Sequence, residues 1–467
     1  MKYEQNHGRS ETLGSVLVIG FAAAVAVWCA WFITHLPWLG VAEQTSIPLL
    51  GGVWVAAIAL GASKVAKPRA ILIGALAGAV CSILGLLILG SKLTHAPDAS
   101  GVSAGLKPAA GVIALGFLGL GTLLGGIGGA IGMAIGRNVP PAGRERWLAR
   151  FALVACIAIA PLLFVGGLVT STDSGMAVPD WPNTFGSNMF LYPLGPRSAA
   201  GPFLEHSHRL FGTLIGLTTL TLMVLVFAWE KSTWVRSVAV TAFVLVCLQG
   251  LLGGQRVAIE TWLSGSDPAK AVKVGRWLAM GHGVLAQLVF GVVVALAVYL
   301  SPAYRAVPSA ITPPLPRKLR IFSTAVLHTL ILQLIFGAMY RHLRSDHALY
   351  SHIGFSIIVV VFALAAGFSF TSDPVRRLPA GRSLGLLGKA LVTVVAVQFI
   401  LGWATFGFGG SGHQAASHGQ ALIRTAHQAN GAVLLALATA TFIWGRRLCP
   451  RSAPPAPATQ IHRSAAA

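Results

Sequence analysis

Apolar runs long enough to cross a lipid bilayer recur about twelve times along this 467-residue chain, and no other feature limits its fold so strongly. Hydrocarbon offers no water to a bare peptide group, so each run must satisfy its own N–H and C=O groups as a helix. The expected fold is all-α: a polytopic membrane protein of about twelve transmembrane helices. Composition agrees. Hydrophobic residues make up 55% of the chain and charged residues only 10%, too little charge to coat a soluble body of this size.

The formal net charge is +21, and its placement matters more than its size. Basic residues fall mostly in alternate connections: Lys64, Lys67 and Arg69 after the second span, Arg137, Arg144 and Arg146 after the fourth, Arg305, Arg317 and Arg320 after the eighth. Lys2 and Arg9 precede the first span, and Arg446, Arg447 and Arg451 follow the last. The positive-inside rule then puts both termini on the cytoplasmic side of an inner (plasma) membrane. Anionic lipid is the expected partner of this charge, and nucleic acid is not. One outer connection disagrees, with Arg256, Lys270, Lys273 and Arg276 between spans seven and eight. The cysteines, Cys29, Cys81, Cys156, Cys247 and Cys449, form no CxxC pair and read as small buried hydrophobes.

Residues 1–141 form a glycine-rich block of four spans with no assigned chemistry. Gly121, Gly125 and Gly129 repeat every fourth residue, as do Gly128, Gly132 and Gly136. That spacing lets helix backbones approach closely. The remainder reads as a duplication, with a four-helix repeat over 147–302, a second over 317–446, and a disordered tail over 447–467. Leu163-Phe164-Val165-Gly166-Gly167 corresponds to Leu334-Ile335-Phe336-Gly337-Ala338, and Gln249-Gly250-Leu251-Leu252-Gly253 to Gln398-Phe399-Ile400-Leu401-Gly402. Pro308, Pro313, Pro314 and Pro316 mark the joint between the copies. The architecture expected is two pseudo-symmetric four-helix bundles plus the N-terminal block.

Histidine is expensive in hydrocarbon, so one inside a span is a functional candidate. His208, His282, His352 and His427 each fall in the first turns of an even-numbered span. His352 follows His208 by 144 residues and His427 follows His282 by 145, so the repeat relates them in pairs. One histidine near a membrane interface is more often an anchor or a cap than a ligand. Four at one depth, paired by the repeat, argue instead for ligation. Two histidines on facing helices of a bundle can clamp a haem iron from both sides. Gly281, Gly283 and Gly354 beside them would leave room for a flat macrocycle. A zinc site would require more ligands at each bundle. His206, His328, His342, His347, His413 and His418 do not repeat and read as interface or outer-loop residues.

The copies are not equal. Glu205 precedes His208 by three residues and shares its helix face, whereas the corresponding position before His352 holds Leu349. Arg209 is likewise replaced by Ile353. Glu205 could act chemically beside the haem or could merely stabilise a helix N-terminus. The loop before span six, Thr170 to Pro193, is long and aromatic, a lid over the site. Its counterpart, Arg341 to Tyr350, is short.

Two segments, Ser174-Gly175-Met176-Ala177-Val178-Pro179-Asp180-Trp181-Pro182 and Glu205-His206-Ser207-His208-Arg209, with the four-histidine repeat, resemble the haem A synthase family over about 147–444. The resemblance implies an oxidoreductase that converts the C8 methyl of haem O to the formyl of haem A by successive hydroxylations, for haem-copper oxidase assembly. It implies that His208 and His282 surround haem O, the substrate, and that His352 and His427 ligate a resident haem b. Glu205 matches the family's catalytic glutamate, with Arg209, Asp180, Trp181, Gly281, Gly283 and Gly354 in the vicinity. It implies partnership with haem O synthase and terminal oxidase assembly proteins. The electron acceptor and any homo-oligomer stay open. The chain departs from the family in lacking a cysteine pair in the lid and in carrying four extra N-terminal spans. Two rival readings remain: a b-type cytochrome that only passes electrons, and a haem transporter.

Overall fold

The computed structural model describes residues 2–95, 105–137, 142–192, 199–308, 315–412 and 414–450, with residues 2–9 described by their backbone alone. The fold over these residues is helical. In chain order the helices are α1 (Lys2–Thr34), α2 (Glu43–Ala62), α3 (Ala70–Leu89), α4 (Ala110–Ile135), α5 (Arg144–Ser171), α6 (Ala200–Trp229) and α7 (Thr233–Ser264). There follow α8 (Pro268–Leu300), the short α9 (Pro302–Ala306), α10 (Lys318–Leu343), α11 (Asp346–Phe370), the short α12 (Asp373–Arg376), α13 (Gly381–Phe408) and α14 (His418–Leu448). Twelve of these are long and apolar enough to span a bilayer, so the chain is a multi-pass membrane protein. Large apolar side chains such as Ile47, Val112, Leu115 and Ile357 are exposed on the outside of the assembly, as a lipid solvent allows. Residues 451–467 of the expected tail, and Pro313 and Pro314 of the expected joint, lie outside the described residues.

Polar caps set several helix starts. Asp267 accepts from the Lys270 amide at 2.9 Å, and Ser417 from the Gln420 amide at 3.2 Å. Two helices run longer than the sequence suggests. α7 and α8 have 32 and 33 residues, at 1.5 Å per residue well beyond a hydrocarbon core of about 30 Å. Only residues 265–267 separate them. Arg256, Lys270, Lys273 and Arg276, read above as an outer loop, therefore lie on helical extensions. Hydropathy marks where a membrane ends, not where a helix does.

Helices α5, α6, α7 and α8 pack in a closed ring, each against the next. Helices α10, α11, α13 and α14 form a second ring, and α5 and α8 of the first pack against α14, with α8 also against α10. The N-terminal helices form a further layer in which α4 shows two glycine faces. Gly121, Gly125 and Gly129 meet Gly74, Gly78 and Ile71 of α3, while Gly128 and Gly132 meet Val55, Ile58 and Ala59 of α2. A Cβ on Gly125 would stand 2.8 Å from the Gly78 Cα. Gly125→Leu is therefore expected to part α3 from α4 at a cost of about 1–3 kcal/mol. The check is thermal unfolding in detergent, and an unchanged midpoint would contradict this packing.

This layer is not separate from the rest. α1 lays Trp28, Trp31 and Phe32 against Phe203 and Phe211 of α6, with ring centroids 5.7–5.9 Å apart. All five side chains are buried, and they share one apolar core with α5 and α6. Trp38, just past α1, stacks on His418 at the start of α14, 4.7 Å between ring centres.

Candidate functional site

Each ring of four helices brings two histidines together. His208 of α6 faces His282 of α8, with ring centroids 6.2 Å apart and planes at 79°. His352 of α11 faces His427 of α14 at 6.1 Å and 78°. Two imidazole nitrogens each about 2 Å from one metal ion place their ring centroids roughly 6 Å apart. Both pairs thus have the spacing of a two-imidazole clamp, and all four residues stay partly accessible. Among the described residues no group of three or more His, Cys, Asp or Glu converges on a metal-sized site. Zinc, which takes four ligands in structural sites and three in catalytic ones, is poorly served by this donor set. A haem supplies its own equatorial nitrogens and requires only the axial pair.

The histidines sit deeper along their helices than the sequence suggests. α6 begins at Ala200 and α8 at Pro268, so His208 and His282 lie several turns in rather than in the first ones. The preceding helix positions each ring. Gly166, Gly253, Gly337 and Gly402 lie against the imidazoles of His208, His282, His352 and His427, where a Cβ would stand 2.9–3.3 Å from Cε1. A glycine is required wherever a ring lies so close to a helix backbone. The His352 Nδ1 lies 3.0 Å from the Gln333 carbonyl. Donation there leaves Nε2 unprotonated and able to bind a metal. Glutamine side chains add further tethers. Gln249 Nε2 donates to the His282 carbonyl at 2.6 Å, Gln333 Nε2 to the His352 carbonyl at 2.8 Å, and Gln398 Nε2 lies 3.2 Å from His427 Nδ1. The sequence reading used these glycines and two of the glutamines only as marks of duplication.

A lid between α5 and α6 covers the first pair alone. Glu205 is buried, and both its oxygens are engaged: Oε1 with Arg209 Nη2 at 2.6 Å and Oε2 with the Val178 amide at 2.7 Å. Arg209 also donates to the carbonyls of Asp180, Asn183 and Val178 at 2.7, 2.9 and 3.1 Å. Phe185 and Gly186 have positive φ, and Asp180 holds that turn by accepting both of their amides at 2.8 Å. The Trp181 indole lies directly on Gly254 of α7, the residue after the glycine that faces His282. Arg209→Met is expected to loosen the lid. Cleavage within 178–183 by added protease should rise on the order of tenfold, the low end for one charged hydrogen bond. Unchanged cleavage would deny Arg209 that role.

His206, read above as an interface residue, is instead 1% exposed and bonded through Nδ1 to Thr184 Oγ1 at 3.0 Å, so it also anchors the lid. No protein atom lies within 4 Å of a Cβ built on Gly281 or Gly354, and one on Gly283 would lie 3.8 Å from His342 Nε2. His328 turns back to the Thr324 carbonyl at 2.8 Å, and His413 lies outside the described residues. The second copy has no lid: α10 ends at Leu343 and α11 starts at Asp346, with Arg344 in the left-handed region between them. Cys247, expected to be buried, is exposed on α7.

Fold and site together define a helical membrane protein with two inward-facing histidine pairs, one of them lidded. Residues 149–352 match a family described as cytochrome oxidase assembly protein. The haem A synthase of Bradyrhizobium diazoefficiens is 29% identical over 216 residues, 41% of this chain and 56% of that protein. The haem A synthase of Lysinibacillus sphaericus is 32% identical over 118 residues, 24% and 36% of the two chains. That of Beijerinckia indica is 27% identical over 228 residues, 43% and 59%. The chain thus spans about a third to three-fifths of the length of these relatives. No solved structure matches it. By these matches the chain belongs to the cytochrome oxidase assembly family that includes the haem A synthases.

Proposed function

We propose that this protein is a haem A synthase, oxidising the C8 methyl of haem O to the formyl of haem A for haem-copper oxidases. One observation carries the reading: two histidine pairs close to the same 6.1–6.2 Å, and only one lies beneath a lid clamped by a buried carboxylate. In this reading His208 and His282 hold haem O, and His352 and His427 hold haem b.

Haem b, when bound at the second pair, supplies a one-electron carrier between the substrate site and an acceptor outside the chain. The remaining work falls to the protein. Converting a methyl to a formyl takes up the oxygen of water and releases protons and electrons. Glu205 is the catalytic residue, a carboxylate placed to accept a proton or to face positive charge developing at the methyl. Arg209 and the Val178 amide hold its two oxygens in fixed positions, so little reorganisation is required. The lid, with Trp181 and Asp180, limits bulk water at the first pair. Gly281, Gly283 and Gly354 border space for a macrocycle.

The first ring, within 147–302, is then the substrate unit and the second, within 317–446, the electron unit. Residues 1–141 support the first without chemistry of their own. Alternating basic connections favour a plasma-membrane protein with both termini cytoplasmic, working beside haem O synthase and oxidase assembly proteins. The test is co-expression with a haem O source followed by pigment analysis. Haem A in the extract is the expected result. Haem b alone, with haem O supplied, would instead make the chain an electron-carrying cytochrome.

A further inference from the structure

The four histidines share one neighbour and differ in another. Each lies against its glycine, and four residues before that glycine stand Leu162, Gln249, Gln333 and Gln398. Positions four apart share a helix face, so all four point along the same side as the glycine. Three of them are amides that contact the facing histidine. Gln249 bonds the His282 carbonyl and lies 3.0 Å from its Nδ1, Gln333 bonds the His352 carbonyl, and Gln398 contacts the His427 ring. Gln398 is itself held by Asn430, whose Nδ2 donates to its Oε1 at 2.8 Å.

The fourth position cannot do this. Leu162 has no polar group, and the buried Nδ1 of His208 has no hydrogen-bond partner. In the second copy the carbonyl of the corresponding residue, Gln333, does bond the His352 Nδ1. His208 is thus the one histidine of the four without an amide tether. A metal-bound imidazole keeps its tautomer and orientation through such outer contacts, and losing one typically lowers metal affinity about 10–100-fold.

We propose that Leu162 makes the first pair a site of haem exchange, while Gln333 makes the second a site of haem retention. The inference rests on the reading that both pairs hold haem. It gives a physical cause for one haem passing through as substrate while the other stays. Leu162 is a positioning residue that acts by leaving the His208 ring without a partner.

The test follows haem leaving the purified full-length protein in detergent, captured by excess apomyoglobin and recorded optically. His427→Ala and His282→Ala proteins, each keeping one complete pair, assign the phases. Two phases are expected, separated about 10–100-fold, the faster belonging to the first pair. Leu162→Gln should slow the faster phase about fivefold, one hydrogen bond's worth, and Gln333→Leu should speed the slower one by a similar factor. Leu162→Met, which restores no donor, should leave the faster phase unchanged. Equal release from both pairs overturns the proposal. So does a slow phase unmoved in Gln333→Leu, a check that stands even where Leu162→Gln fails to fold. Absence of haem from both pairs overturns the functional reading itself, and with it this one.

Discussion

Glu205→Ala is expected to bind haem O and leave it unconverted. The loss in rate should fall in the roughly 10²–10⁴-fold range of a positioned proton-transfer group, with haem content unchanged. Glu205 also clamps the lid through Arg209 and Val178, so a slow variant alone would not separate chemistry from closure. Two companions do. Glu205→Gln keeps an oxygen for the Val178 amide but removes the charge, and should be as inactive as alanine. Arg209→Met keeps the carboxylate but loosens the lid, and should lose much less activity. The measurement is the ratio of haem A to haem O in extracted pigment. Full conversion by Glu205→Ala would end the assignment of Glu205 as the catalytic residue.

The second large effect concerns the pairs. His427→Ala should empty or unsettle the second pair while the first still takes haem O, and His282→Ala should do the reverse. Each change removes a direct ligand, so the loss in affinity should exceed the roughly 10–100-fold that an outer contact costs. The reduced optical spectrum and the extracted pigments report it: His427→Ala should lack haem b, and His282→Ala should keep it. Turnover should stop in both, for want of an electron carrier in one and of a substrate site in the other. A His427→Ala protein with the pigments of the parent would show that this pair does not hold a haem.

The membrane fold was readable because apolar runs of bilayer length have one structural solution in lipid. The histidine pairing was readable because duplication leaves an arithmetic trace, 144 and 145 residues between partners. Helix ends were not. α7 continues through Gln255, Arg256 and Glu260, residues that favour a helix in water as well, so no local signal marks a break. His206 was misjudged for a different reason. It does not repeat, and burial at 1% arises from a lid that folds back over it, a contact 22 residues away that no helical period records. The tether at Gln249, Gln333 and Gln398 was present as a glutamine four residues before a glycine. It gains meaning only once a histidine from the next helix is seen beside it, because only then does the exception at Leu162 stand out.

The aromatic face of α1 also sets an order of events during synthesis. Trp28, Trp31 and Phe32 pack on Phe203 and Phe211, some 170 to 180 residues later in the chain. Five helices of the growing polypeptide must enter the membrane before that face is covered by α6. In water such a wait would invite aggregation. In a bilayer the acyl chains are as apolar as the eventual partner, so the uncovered face costs little and α6 is drawn in by close packing alone. The first helix made is thus the surface on which the substrate ring is later completed, and a chain begun at α5 would have to build that ring without its template.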